Sequence, residues 1–193
     1  MTAPTETLTA NQAARRERVL EAAMELAGEG GYDAVQMRDV AARAQVALGT
    51  IYRYFSSKDH LLAACQLELW RDTAERFAQR PPEGDTASDR VVIFLRRAMR
   101  AAEREPRRTA ALVLAMASPD PAVRECQLEV MALIEGTLCA AMGDIDPDVR
   151  SRVAIALRQL WHSVLIEWVN EWSDPPTVSR DLESAARLLL DGR

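Results

Sequence analysis

Hydroxyl and cationic side chains are concentrated in one short segment of the chain, residues 37–58. They belong to Thr50, Tyr52, Arg53, Tyr54 and Lys58. Such groups donate hydrogen bonds to phosphate oxygens and to the edges of bases, which is the chemistry of nucleic-acid recognition. Between them lie apolar or small residues that can pack inward, namely Val40, Ala41, Ala44, Val46, Ile51 and Phe55.

The spacing in this segment predicts two short helices, over about 37–44 and 48–55, joined by a tight turn. A further helix would start directly afterwards. That order is typical of a helix-turn-helix, in which the first helix braces the unit and the second presents its polar face to the major groove of DNA.

The net charge of −5 argues at first against a nucleic-acid partner, but the charges are unevenly distributed. Residues 36–58 carry four cations against one acid, Asp39, which gives a local charge of +3. Residues 10–18 add three arginines against Glu17. A basic end on an acidic body is compatible with the binding of phosphates at that end.

Catalytic constellations are absent from the sequence. His60 and His162 are the only histidines, and there is no Ser/His/Asp order, metal-ligand spacing or glycine-rich phosphate loop. The three cysteines are widely spaced and odd in number, which suits buried thiols better than disulfides or a zinc site. We therefore expect a protein that is not an enzyme and that uses no metal or cofactor.

The whole chain predicts an all-α fold of about nine helices, because alanine, leucine and charged residues dominate its composition. Residues 9–12 match a capping box that would open the first helix, and the glycines at 28–31 would end it. After a fourth helix that Pro81 stops, helices would cover about 88–105, 107–117, 121–142, 147–172 and 179–190. No membrane span and no secretory signal is evident, which predicts a cytoplasmic protein.

The stretch 31–62 resembles the DNA-binding domain of TetR-family transcriptional regulators. The matching features are Gly31-Tyr32, Arg38-Asp39-Val40-Ala41, Gly49-Thr50-Ile51-Tyr52, and Phe55-Ser-Ser-Lys58 followed by Leu61-Leu62. The resemblance implies a helix-turn-helix DNA-binding domain over residues 9–58 and a helical effector-binding and dimerisation domain over 59–193. From the residues themselves, the stretch from Pro81 to Ala87 is the only good linker candidate. The resemblance also implies a homodimeric repressor that binds a palindromic operator and is released by a small hydrophobic effector.

The same resemblance assigns nine positions to DNA contact. They are Gln36, Arg38, Leu48, Gly49, Thr50, Tyr52, Arg53, Tyr54 and Lys58. Two nearby positions depart from the family pattern, since Gln45 stands where a glycine is usual and Ala47 stands where a serine commonly caps the recognition helix. Gln45 must therefore adopt a left-handed conformation or a different turn, and the recognition helix must start without a side-chain cap.

The eighth and ninth helices carry apolar stripes that could form a four-helix interface between two subunits. The stripes comprise Leu157, Trp161, Leu165 and Trp168 on the eighth helix and Leu182, Ala185, Ala186 and Leu189 on the ninth. The alternative is that the tryptophans complete the core of a single subunit.

An effector cavity is expected among helices four to eight. Its candidate lining residues are Trp70, Phe94, Met99, Met116, Met131 and Trp161, with Arg97 and His162 as polar anchors. The alternative is an ordinary core, because apolar stripes at helical spacing usually face one. Within the family, the chain resembles the repressors of actinobacterial cholesterol catabolism in the runs GGYDAVQMRDVA and VALGTIYRYFSSKDHLL and in the C-terminal order of Trp161, Trp168, Val178-Ser179 and Leu188-Leu189. The DNA-binding half is the closer match, whereas residues 81–145 agree poorly. A sterol or acyl-CoA effector from lipid or sterol catabolism is therefore a hypothesis.

The alternative function is a helical protein-interaction adaptor that has kept the fold but lost specific DNA binding. The acidic balance and the departures at Gln45 and Ala47 favour it. A steep loss of DNA affinity with rising salt would distinguish the repressor from the adaptor.

Overall fold

The structure, a computed structural model, describes residues 9–191, which form nine α-helices and no β-strand. The helices are α1 (Ala10–Ala34), α2 (Met37–Arg43), α3 (Leu48–Tyr54), α4 (Lys58–Gln79), α5 (Ala87–Arg104), α6 (Pro106–Ala115), α7 (Pro121–Met142), α8 (Pro147–Val169) and α9 (Pro175–Asp191). The predicted all-α fold is confirmed. Residues 192–193 of the predicted second domain lie outside the described residues. Within 9–191, no helix has the length and hydrophobicity that a membrane crossing requires.

Most helix starts follow from local capping chemistry. The Thr9 hydroxyl accepts a hydrogen bond from the Gln12 backbone N–H, and the Gln12 side chain accepts one from the Thr9 N–H, so the predicted capping box is present. Side chains of Ser57, Thr86 and Asp146 cap α4, α5 and α8. Polar residues that precede these helices therefore determine where they begin.

Helix α1 does not end at its glycines, contrary to the prediction. Gly30 and Gly31 leave the helical conformation, Gly31 with a φ of 72°, and a last turn then continues to Ala34. Glycine adopts that left-handed conformation without the clash that a Cβ would cause. The glycines thus kink the helix and redirect its end toward Val35, which is buried in the core.

The connection between α8 and α9 also differs from the predicted one. Helix α8 ends at Val169 and α9 begins at Pro175, earlier than expected in both cases. The Asp174 carboxylate accepts a hydrogen bond from the Thr177 N–H at 2.8 Å, which caps α9. Proline suits the first helical position because the N–H it lacks would have no partner there. The prolines therefore open the ninth helix as well as following the eighth.

The recognition helix α3 depends on burial for its stability. It has seven residues, and isolated helices shorter than about 12–15 residues are marginal in water. Ile51 is fully buried and Phe55 is 1% exposed, and burial of such side chains contributes about 1.5–3 kcal/mol each. They belong to the same core as Val19, Val40 and Leu61. Helices α1, α2 and α4 therefore hold α3 in place.

Helix α4 connects the helix-turn-helix unit with the rest of the molecule. It packs against α1, α6 and α7, and α1 packs against α6 as well. Helix α5 packs against α7 and α9, and α8 packs against α7 and α9. A single hydrophobic core extends through both parts of the chain, so the unit that carries α3 is braced directly by the body.

Candidate nucleic-acid interface and effector cavity

The turn between α2 and α3 contains a strained residue. Gln45 has a φ of 54°, so it adopts the left-handed conformation, the first of its two expected alternatives. For a residue with a Cβ this conformation costs roughly 1–2 kcal/mol. The Val46 N–H donates to the Ala41 carbonyl at 3.0 Å and closes the turn. The helix-turn-helix geometry is therefore formed in spite of the glutamine.

The start of α3 lacks a side-chain cap, as expected from Ala47. A serine there would add an interaction worth about 1 kcal/mol. Along the helix, Gly49, Tyr52 and Arg53 are exposed, and Tyr52 keeps 54% of its surface open to solvent. A Cβ added at Gly49 would meet no atom within 4 Å. The surface of α3 is thus open at this glycine, which allows another molecule to approach its backbone.

The remaining predicted contacts of α3 are divided between the surface and the core. Thr50 is half-buried, and Leu48 and Tyr54 are half-buried and pack against the core. The Arg53 guanidinium lies 5.5 Å from the centroid of the Tyr54 ring and donates to its hydroxyl at 3.4 Å. Tyr54 therefore orients Arg53 while its own ring packs partly inward.

Helix α2 contributes two exposed polar residues at its start. The Gln36 side-chain amide donates to the Asp33 carbonyl at 2.9 Å, and Arg38 has no ion-pair partner among residues 9–191. Arg43 differs, because it pairs with Glu29 at 2.6 Å, and this hydrogen bond holds its pKa above the ordinary value. The basic charge that is free to meet phosphate on α2 is therefore that of Arg38.

Lys58 is oriented by the aromatic residue that precedes α2. Its ammonium lies 3.6 Å from the centroid of the Tyr32 ring and donates to the Tyr32 carbonyl at 3.2 Å. The Tyr32 hydroxyl donates to Asp59 at 2.5 Å, and burial followed by this bond raises the pKa of Tyr32 to about 12. A lysine ammonium has three donors, so Lys58 retains hydrogen-bonding capacity at the start of α4. Tyr32 was not among the predicted site residues.

A cavity of about 450 Å³ lies between α4, α5, α6 and α8. Four of the predicted effector residues line it: Trp70, Phe94, Arg97 and Trp161. The rings form a chain of contacts, with centroids 6.5 Å apart for Trp70 and Phe94 and 6.3 Å apart for Trp70 and Trp161. This size and aromatic lining are typical of small-molecule sites.

The other four predicted effector residues do not line this cavity. Met99 is buried in the core, Met116 caps the end of α6, Met131 lies on α7, and His162 is exposed. His162 follows Trp161 directly, and adjacent residues of an α-helix point in directions about 100° apart. Four of the eight predicted residues therefore line the cavity, because an apolar stripe on a helix does not by itself determine the depth or the direction of each side chain.

Three exposed arginines, of which the prediction included only Arg97, lie at the solvent side of the cavity. Arg76, Arg80 and Arg97 are exposed, line the cavity, and have no carboxylate partner among residues 9–191. Arg108 also lines the cavity but pairs with Glu105 at 2.7 Å. Exposed arginines carry no distinct sequence signal, and only Arg97 had been selected. The cavity thus combines apolar walls with an uncompensated positive charge at its opening.

Most residues of the predicted dimer interface are buried inside the single chain. They are Leu157, Trp161, Leu165, Leu182 and Ala186, while Trp168, Ala185 and Leu189 are half-buried. The five buried residues correct the prediction, because side chains in the core of one chain cannot also cover a partner. Apolar surface near the ends of α8 and α9 is instead supplied by Trp172, 72% exposed, and Leu188, 77% exposed.

A helix-turn-helix unit joined to a helical body with an internal cavity defines a transcriptional regulator. Comparison with known proteins gives the family. Residues 19–65 match the domain described as "Bacterial regulatory proteins, tetR family", and residues 84–189 match the domain described as "Tetracyclin repressor-like, C-terminal domain". The chain belongs to the TetR family of bacterial transcriptional regulators.

Relatives resemble the chain over most of its length. It is 37% identical to the HTH-type transcriptional repressor KstR of Rhodococcus jostii (strain RHA1), over 93% of this chain and 84% of that protein. A solved TetR transcriptional regulator from Rhodococcus sp. RHA1 has a TM-score of 0.83 and 32% identity, covering 93% of this chain and 97% of that one. The similarity is therefore not confined to the DNA-binding half. These relatives are transcriptional regulators, which are not enzymes.

A more distant structure shows the same fold with a ligand. FadR of Bacillus subtilis, solved in complex with stearoyl-CoA, has a TM-score of 0.66 and 21% identity, covering 92% of this chain and 98% of that one.

Proposed function

We propose that the chain acts as a homodimeric repressor, which binds a near-palindromic operator and leaves it when a small effector occupies the cavity. The observation that carries the proposal is the position of α4. This helix begins beside the recognition helix and also supplies Trp70, Thr73 and Phe77 to the cavity wall. A rigid helix shared by two sites allows a ligand at one site to bias the orientation of the other.

The outward face of α3 would enter the major groove. Gly49 permits close approach of the helix, Thr50 would reach base edges or a thymine methyl group, and Arg53 would reach a guanine. Tyr52 and Lys58 would donate to phosphates on either side, and phosphate contacts position a protein without specifying sequence. Gln36 and Arg38 would contact the flanking backbone.

A second copy would pack against the exposed ends of α8 and α9, where Trp172 and Leu188 are open to solvent. Two α3 helices would then lie roughly 34–36 Å apart, which matches successive major grooves on one side of the duplex. Burial of these two exposed side chains against a partner would remove apolar surface from water and so favour association.

The effector would have an apolar body and an anionic head. The aromatic walls suit the first, and the unpaired arginines at the opening suit the second, because guanidinium groups bind carboxylates and phosphates with paired hydrogen bonds. An acyl thioester or a sterol acid combines both features. The stearoyl-CoA bound by FadR, which shares the fold, and the similarity to KstR support an effector from lipid or sterol catabolism.

The test is a salt-titrated binding experiment with the DNA upstream of the protein's own gene. The repressor should bind it with sequence preference and lose affinity steeply as salt increases. Stearoyl-CoA should release the complex, whereas stearyl alcohol, which has the same apolar body without an anionic head, should be much weaker. A protein that showed no sequence preference at any salt concentration would instead act as the adaptor, and equal potency of the two probes would refute the role of the arginines.

A further inference from the structure

Asp120, at the start of α7, reaches across to the DNA-binding unit. Its Oδ2 accepts hydrogen bonds from the Ser56 hydroxyl at 2.9 Å and the Ser57 hydroxyl at 2.8 Å. Its Oδ1 accepts the Ala122 N–H at 2.9 Å and so caps α7. The Asp120 carboxylate therefore joins the start of α7 to the two serines that precede α4.

The two serines form the corner that joins the recognition helix to α4. The N–H of Phe55 closes the end of α3 on the Ile51 carbonyl, and α4 begins at Lys58. The Ser57 hydroxyl accepts the His60 N–H and caps α4, while the Ser56 N–H donates to Nδ1 of His60 at 3.1 Å. We call Asp120, Ser56, Ser57 and His60 the corner clamp.

Asp120, the acidic residue of the corner clamp, is close in sequence to the cavity wall. Helix α6 lines the cavity with Thr109, Leu112 and Val113 and ends at Ala115, and a short connection leads from there to Asp120. Since the connection is short, a shift of α6 caused by a ligand would displace Asp120 relative to the serines.

The Asp120 carboxylate of the corner clamp is ionised at neutral pH. The Ala122 N–H, followed by the hydroxyls of Ser57 and Ser56, holds the pKa of Asp120 below its ordinary value. Hydrogen bonds to an ionised acceptor are about twice as strong as those between neutral groups. Loss of the two serine contacts therefore removes a substantial constraint on the corner.

We propose that Asp120 is a positioning residue that transmits the state of the cavity to the recognition helix. Its bonds to Ser56 and Ser57 hold α3 in the orientation that binds the operator, and displacement of Asp120 releases it. This inference rests on the proposed function, because it assumes that α3 binds an operator.

The test compares two acidic residues of the α7 region. Asp120→Ser keeps an oxygen that can cap α7, since serine is as good an N-cap as aspartate, but its side chain is too short to reach the serines. Glu129→Gln is the matched control, because Glu129 also joins α7 to α4, through Arg71 at 2.6 Å, far from the corner. We expect about tenfold weaker operator binding for Asp120→Ser and less than a twofold change for Glu129→Gln.

Amide hydrogen exchange of the DNA-free protein gives a second, local measurement. Residues 55–58 should exchange faster in Asp120→Ser but not in Glu129→Gln, while the thermal midpoints of the two variants stay similar. Ser56→Ala, which leaves the Ser57 cap of α4 intact, should weaken operator binding as well. It should cause little further loss when added to Asp120→Ser, because both changes break the same contact.

The outcomes separate the two proposals. A folded Asp120→Ser that binds the operator as the wild type does, with unchanged exchange at the corner, would overturn the clamp. If Asp120→Ser fails to fold, wild-type affinity of the double variant Ser56→Ala/Ser57→Gly overturns it, because this variant removes both hydroxyl donors while glycine remains an acceptable N-cap. A wild-type protein without sequence-dependent DNA binding would refute the proposed repressor, and the exchange experiment would still test the clamp itself.

Discussion

The helix-turn-helix segment and the α8–α9 pair use apolar residues in opposite ways. In α3, the fully buried side chain is Ile51, and Gly49, Tyr52 and Arg53 remain outside. Helices α8 and α9 bury Leu157 and Leu182 in the core, yet Leu188 on α9 and Trp172 in the connection between the two helices stay exposed. The apolar pattern of α3 therefore indicates its buried face from the sequence, whereas the apolar residues of α8 and α9 do not show which of them face the core.

The largest expected effect is on the free energy of unfolding, and it compares a buried residue of the helix-turn-helix segment with one beside the cavity. Ile51→Ala should lower the free energy of unfolding by about 2–5 kcal/mol, because Ile51 is fully buried in the DNA-binding unit. Leu112→Ala, beside the cavity, should cost less, because part of its surroundings is already empty. Urea unfolding followed by circular dichroism measures both, and an equal or greater loss for Leu112→Ala would remove this contrast.

A substitution in the cavity should change the response to the effector without changing the affinity for the operator. Arg97→Ala should raise the stearoyl-CoA concentration that releases the operator by about tenfold or more, since a hydrogen bond to a charged group contributes about 1.5–3 kcal/mol. Operator affinity without effector should not change. Arg100→Ala is the control, because Arg100 is exposed on the same helix but does not line the cavity. Equal shifts for the two variants would contradict the assignment.

Within the helix-turn-helix segment, the outward and the half-buried tyrosine should behave differently. Tyr52→Phe should weaken operator binding by about 1 kcal/mol, the typical value of one hydrogen bond, without a change in stability. Tyr54→Phe should have a smaller effect, because the Tyr54 ring is half-buried and packs against the core, whereas Tyr52 is exposed. Fluorescence anisotropy with labelled operator checks both. A larger effect for Tyr54→Phe would show that Tyr54, rather than Tyr52, makes the stronger contact with the operator.

The strained turn predicts a gain in stability. Gln45→Gly should raise the free energy of unfolding by up to about 1 kcal/mol, because glycine adopts the left-handed conformation without strain. Ala42→Gly, inside α2, should lower it by about 1 kcal/mol. Thermal unfolding distinguishes the two, and destabilisation by Gln45→Gly would show that the glutamine side chain contributes more than the strain costs.

The smallest effect is a pH dependence at the corner. Burial holds the pKa of His60 below its ordinary value of 6.5, so the unfolded chain takes up a proton at this site more readily than the folded one. The contribution of neutral His60 is therefore complete above that value and is lost as the pH falls below it. His60→Gln should reduce the loss of stability on acidification, as measured by unfolding at pH 7.5 and 5.5; an unchanged pH profile would contradict it.

Local signals in the sequence were sufficient for the fold and for the DNA-binding segment. The capping box at Thr9 and Gln12 and the helix α7 follow from residues a few positions apart, and so do the left-handed Gln45 and the uncapped α3. Tertiary packing decided what such signals do not contain. Whether Trp161 faced the core or a partner depended on the helices around it, and no local pattern distinguishes these cases.

The corner contacts illustrate the same limit. Asp120 and Ser56 are 64 residues apart, and each has a sufficient local explanation as a turn or capping residue. Lys58 likewise fits the family motif, but its contact with the Tyr32 ring depends on the kink at Gly31, which the sequence suggested as a stop. Interactions across such distances become visible only when the helices are placed.

The position of α4 has a practical consequence for protein engineering. A regulator with a new input could be made by joining this DNA-binding unit to another sensor, and a junction at residues 58–59 would match the predicted domain limits. That junction would cut the helix at its first turn and separate the corner from Trp70 and Phe77. Functional chimeras should therefore retain α4 together with α6 and Asp120, and exchange only the helices that complete the cavity from the far side.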